Sequence, residues 1–119
     1  MEFNSFEDWV EKLVYISKEN QHFVVVEGKN DVKKLSSYGV ENIYPIKGKK
    51  FYDIVEELEF ANLCILLVDL DKQGEKIFSK LKFLLQREGI PVDTSFREYL
   101  KNFDYEEIEK LPNLKGDLR

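Results

Sequence analysis

Leu63–Val68 is six apolar residues in unbroken succession, and it stops at a carboxylate, Asp69. A run so short and so uniformly apolar suits a strand covered on both faces, as in the middle of a parallel sheet. Parallel neighbours need crossover connections, so helices should alternate with strands. The rest of the chain supplies them. Phe23–Glu27 is a second short run rich in β-branched residues; Asn42–Ile46 and Ile90–Val92 read as two more strands, with Pro91 placing the last at an edge. Amphipathic helices are predicted from Asn30 or Asp31 to Tyr38, from about Lys50 to Phe60, and from Gly74 to Glu88. The expected fold class is α/β, with a mainly parallel four-stranded sheet flanked by helices and joined by right-handed crossovers.

The ends of the chain extend this core, which spans about 23–93. An N-terminal helix is predicted over 5–19, capped by Ser5, with Trp9, Leu13 and Ile16 at helical spacing. C-terminal helices are predicted over 95–111, the first capped by Thr94 or Ser95 and the second by Asp104; a tail begins at Pro112. The length of 119 residues suits one domain over 1–119, and 43% apolar content argues for a packed core rather than disorder. No apolar run reaches the roughly 18 residues of a membrane span, and the N-terminus lacks a basic signal region. A cytoplasmic setting and no membrane partner are therefore expected. Cys64, the only cysteine, reads as a small core residue. Tyr15, Tyr44 and Tyr52 read as packing residues, as do Trp9 and most of the nine phenylalanines.

Three acids fall where apolar runs end: Glu27 in Val24-Val25-Val26-Glu27-Gly28-Lys29, and Asp69 and Asp71 in Val68-Asp69-Leu70-Asp71-Lys72-Gln73-Gly74. In an open α/β sheet that place is the carboxyl edge, where ligands bind. Asp69 and Asp71, two apart in extended backbone, would point to one side. Carboxylates gathered there repel one another unless a divalent cation or a shared proton intervenes. Each acid also has a plainer role: Glu27 as the first exposed residue after a strand, Asp71 as a helix N-cap, Asp31 as a cap or first-turn charge. Asp69 is the hardest to explain without a partner. Net charge is −5, the wrong sign for bulk attraction to nucleic acid, yet lysines follow each strand end: Lys29, Lys33 and Lys34, then Lys47, Lys49 and Lys50, then Lys72 and Lys76. Phe51 and Tyr52 beside that middle group can stack on single-stranded bases. Arg97 is either a phosphate contact or a surface helix residue, and His22 a strand-edge surface residue.

The two acidic motifs, in this order and about 40 residues apart, resemble the Toprim domain shared by topoisomerases, bacterial primases, nucleases and the 5S ribosomal RNA maturase; Ile43-Tyr44-Pro45-Ile46-Lys47-Gly48 matches the glycine after its second strand. The resemblance covers roughly 23–93. It implies a three-layer Rossmann-like fold, Glu27 as catalytic acid/base and metal neighbour, and Asp69 and Asp71 as ligands of Mg2+, with Mn2+ as a substitute. It gives Gly28, Gly48 and Gly74 the tight turns and phosphate approach, and Lys29, Lys47, Lys49 and Lys72 the nucleic-acid contacts. The size and the Glu27-Gly28-Lys29 form are similar to small stand-alone Toprim proteins. The implied activity is metal-dependent phosphodiester chemistry, foremost a nuclease acting on RNA or DNA. A non-catalytic nucleic-acid-binding module, with a partner protein supplying substrate grip, is the alternative. An aspartyl-phosphate phosphatase built on Asp69-Leu70-Asp71 is more remote, since its motif would follow the first strand.

Overall fold

The computed structural model describes residues 1–103 and 105–114. Its sheet is parallel throughout, with β1 (His22–Val26), β2 (Ile43–Pro45), β3 (Leu63–Leu66) and β4 (Val92–Asp93) in the order β2-β1-β3-β4. Between them lie α2 (Lys29–Ser37), α3 (Phe51–Glu57) and α4 (Lys72–Arg87), preceded by α1 (Phe6–Ser17) and followed by α5 (Ser95–Leu100).

The pleat sorts the side chains into two cores. Val24, Val26, Ile65 and Leu67 pack with α1, α2 and α5, whereas Val25, Cys64, Leu66 and Val68 pack with α3 and α4. Successive strand residues point to opposite faces, so the uninterrupted apolar run from Leu63 serves both layers at once. Trp9 and Leu13 are fully buried on the α1 side, and the Trp9 indole Nε1–H donates to Phe96 O at 2.9 Å. Ser5 caps α1 as the sequence predicts, accepting from the Asp8 amide at 3.0 Å.

Several predicted elements contract. The helix expected from Lys50 to Phe60 ends at Glu57, and the first of the helices expected over 95–111 ends at Leu100. Neither Thr94 nor Ser95 provides the side-chain cap there; Asp93 does, accepting from the Phe96 amide and the Ser95 hydroxyl. The helix expected over 105–111 is a single 3-10 turn at Ile108–Lys110, and the cap assigned to Asp104 lies outside the described residues. Tyr15 and Tyr52 are each 75% exposed, which corrects their reading as packing residues; Phe60, Phe83 and Phe103 are the exposed exceptions among the phenylalanines. His22 sits at the first position of β1, half-buried rather than on the surface, its Nδ1 2.9 Å from Ile16 O.

Among the described residues no helix is long and apolar enough to cross a membrane. Cys64 has no exposed surface, and burial pushes its thiol up to about 12. The native protein is expected to resist a thiol-specific disulfide reagent at neutral pH and to react promptly in denaturant. Equal rates in the two states would contradict this packing.

Candidate active site

The strand order makes β1 and β3 neighbours while sending their following helices to opposite faces: α2 to the side of α1, α4 to the side of α3. In open α/β sheets ligands bind outside the strand ends at such a switch point. Glu27 directly follows β1 and Asp69 stands three positions past the end of β3, so the sheet itself delivers both acids to that edge. They are joined directly. The Asp69 amide donates to Glu27 Oε2 at 2.9 Å.

Asp71 takes a different course. The chain bends at Leu70 and Asp71, and Asp71 caps α4 by accepting from the Gly74 amide at 2.7 Å. The extended backbone expected to point Asp69 and Asp71 to one side is thus broken by the helix start, and the plainer N-cap role of Asp71 is observed. Asp31 is 5% exposed and accepts from the Gly28 amide at 3.0 Å, closing the first turn of α2.

Residues 105–114 form a strap across this edge. Leu70 N donates to Glu106 O at 2.7 Å, and Ile108 N donates to Asp69 Oδ1 at 3.0 Å. Farther along, Tyr38 donates its hydroxyl to Pro112 O, and Lys34 reaches Asn113 Oδ1 at 2.8 Å. Ile108 and Leu111 are buried in the α1–α2 core, which anchors the strap.

The electrostatics follow from this crowding. The Asp69 carboxyl is pushed up to about 7, chiefly by burial; the Ile108 amide opposes the shift, and the charges of Glu27, Asp31 and Asp71 add to it. Glu27 is also raised, by burial first, against the stabilising Asp69 amide, with Asp71 and Asp31 contributing repulsion. Burial raises Asp31 likewise.

Does this donor set fit a divalent cation? Among the described residues no group of three or more carboxylate, histidine or cysteine side chains is arranged to hold a metal by itself. Glu27, Asp69 and Asp71 each commit one oxygen to a backbone N–H and keep a second. Magnesium needs few direct protein ligands, because it retains waters and takes substrate phosphate oxygens. Hard oxygen donors at a strand-end edge with surplus negative charge fit that cation.

Of the predicted lysines, Lys29, Lys47 and Lys72 are exposed, each directly after a strand-end motif. Lys49 is committed elsewhere: it pairs with Glu57 at 2.9 Å and sits 4.7 Å from the Tyr44 ring centroid, while Tyr44 donates its hydroxyl to Glu57. Lys47 and Gly48 take φ of 46° and 74°, a left-handed pair in which Lys47 N donates to Glu27 O at 2.8 Å. Gly28 is extended with open space around it, so its turn does not require glycine. Gly74 does require it. A methyl carbon there would overlap the Asp69 carbonyl oxygen and lie 2.5 Å from its carbon.

Two contributors escaped the sequence reading. The Ile108 amide carries no side-chain signature at all. Arg97 is 1% exposed, neither a surface helix residue nor a rim contact, and its helix is too short for its spacing to define a buried face.

A parallel sheet of this order, with a glutamate after β1 and an Asp-x-Asp after β3, defines a Toprim-type domain. The Toprim domain family model matches residues 22–103, and the chain belongs to that family. UPF0292 protein MJ1624 of Methanocaldococcus jannaschii is 30% identical over 116 residues, covering 88% of this chain and 91% of that protein. DNA primase DnaG of Picrophilus torridus is 33% identical over 63 residues, 53% of this chain but 15% of the primase. A solved structure of a protein from Aquifex aeolicus is 38% identical, with a TM-score of 0.83 over 91% of this chain and 99% of that one.

Proposed function

We propose that this chain is a magnesium-dependent enzyme acting on nucleic-acid phosphodiesters, foremost a nuclease. The observation that carries the reading is Asp69: a half-buried carboxyl at the switch point, pushed up to about 7 beside three other acids, in a place where a divalent cation would relieve the repulsion. The relatives named as primases point to nucleic acid as the substrate class. Priming itself is not proposed, because the match spans only 15% of such a protein.

In this reading Asp69 and Asp71 would hold Mg2+ or Mn2+, with Glu27 beside them; Ile108 and Gly74 occupy one oxygen of each aspartate. When bound, such a cation would supply charge neutralisation at the phosphoryl oxygens. Glu27 moves the proton. Burial and its acidic neighbours raise its affinity for one, while the Asp69 amide holds its other oxygen in place. Lys29, Lys47 and Lys72 meet the phosphate backbone at the rim. Lys49, committed to Glu57 and Tyr44, is left out of that contact set.

The test is cleavage of labelled RNA and DNA in Mg2+ or Mn2+ by wild type, Glu27→Gln and Asp69→Asn, with folding checked by circular dichroism. Each substitution is expected to reduce the rate by about 100-fold or more. Cleavage that survives both would end the nuclease reading. A second reading, a nucleic-acid-binding module without turnover, is favoured by the lack of a ready-made three-ligand group among the described residues. Salt-dependent binding with no cleavage in either metal would select it.

A further inference from the structure

The peptide that carries Asp69 is held at both ends. Its N–H donates to Glu27 Oε2, and its C=O accepts from Arg97 Nη2. Arg97 Nε donates to the preceding carbonyl, Val68 O, at 2.9 Å, so one planar guanidinium grips two successive carbonyls. Gly74 closes the other side, since the Asp69 carbonyl lies where a side chain on Gly74 would stand. On the metal-site reading above, we propose that Arg97 is a positioning residue: it fixes the Val68–Asp69 backbone, and through it the placement of Asp69 relative to Glu27.

The way Arg97 is held suits that task. Its guanidinium lies 4.3 Å from the Phe78 ring centroid and pairs with Glu75 at 3.0 Å, both residues belonging to α4. The helix capped by Asp71 therefore supports the group that clamps Asp69. Arg97 is almost wholly buried, and its Nη1 has no hydrogen-bond partner among the described residues. Burying a guanidinium on these terms is costly, and closing an apolar core does not call for it. Lysine cannot reproduce the grip, because an ammonium lacks the rigid fork that spans two acceptors.

The test uses Arg97→Met and Arg97→Lys in the full chain, at a temperature where circular dichroism shows native structure. Mn2+ affinity is measured by titration calorimetry, and exchange of the Asp69 amide by NMR. Arg97→Met is expected to weaken Mn2+ binding by about tenfold or more, the usual range for a supporting residue behind a ligand, with Arg97→Lys in between. The Asp69 amide should lose protection while amides of β1 keep theirs. A role in stability alone would lower the melting temperature and leave the Mn2+ affinity of the folded protein unchanged; that result overturns the proposal. Should Arg97→Met fail to fold, Arg97→Lys decides by the same two readouts. If wild type binds no Mn2+, the metal reading fails, and unchanged Asp69 exchange in the variants would sink the clamp separately.

Discussion

Gly74→Ala is expected to destabilise the protein by about 2 kcal/mol and to abolish divalent-cation binding, opposite in sign to the usual effect of this change in a helix. Alanine in place of glycine ordinarily stabilises a helical position by about 1 kcal/mol. Gly74 lies in the first turn of α4, so propensity alone predicts a gain. Against it stands the overlap of a methyl carbon with the Asp69 carbonyl, a backbone group that cannot rotate away. Overpacking costs about 1–3 kcal/mol, and an overlap with a backbone oxygen belongs at the upper end, which leaves about 2 kcal/mol after the propensity gain. The backbone that yields is the one bearing Asp69, so its bonds to Arg97 and Glu27 should loosen together. Denaturant melts and Mn2+ titration check both parts. Gly28→Ser is the control, with open space around an N-cap position that serine suits, and should stay within about 0.5 kcal/mol of wild type. A more stable Gly74→Ala protein would refute the close approach.

Asp69→Asn should have the second large effect, and it depends on pH. The folded-state pKa of Asp69 lies above its ordinary value, so the folded protein holds this proton more tightly than the unfolded chain between about pH 4 and 7. The stability linked to that proton is fully present below about pH 4 and is lost as pH rises through about 7. Wild type without metal therefore carries an unfavourable charge at pH 8. Asparagine does not, and its carbonyl can still accept from the Ile108 amide. The shift corresponds to about 4 kcal/mol at 1.36 per unit, of which about half is expected because the side chain keeps some contact with water. The variant should melt several degrees above wild type at pH 8 and together with it near pH 3.5. Mg2+ should raise the wild-type melting temperature and leave the variant unmoved. Equal melting at pH 8 would show that burial and the neighbouring acids do not penalise the Asp69 charge.

How far the sequence could be read follows from the range of each interaction. Leu63–Val68 and Phe23–Glu27 announced the two central strands, because burial on both faces leaves a local apolar record. Asp69 was legible for the same reason, a charge set against that record. Asp71 was half legible: its N-cap role and its role beside Asp69 have the same spelling, and only the bend at Leu70 separates them. Lys49 looked like its neighbours until Glu57 and Tyr44 claimed it. Arg97 and the Ile108 amide act on Asp69 across 28 and 39 residues of chain, one from a six-residue helix and one through the backbone. Neither leaves a local pattern. The matched family region ends at 103, short of the amide that holds the Asp69 carboxylate.

That strap has a consequence for synthesis. A ribosome releases β1, β3 and their crossovers before Ile108, so a nascent chain can pair its central strands while Asp69 still lacks its amide donor. Asp69 gains its amide donor only when the turn at Ile108–Lys110 docks, so the strand-end edge is completed after the strands that carry it have been synthesised.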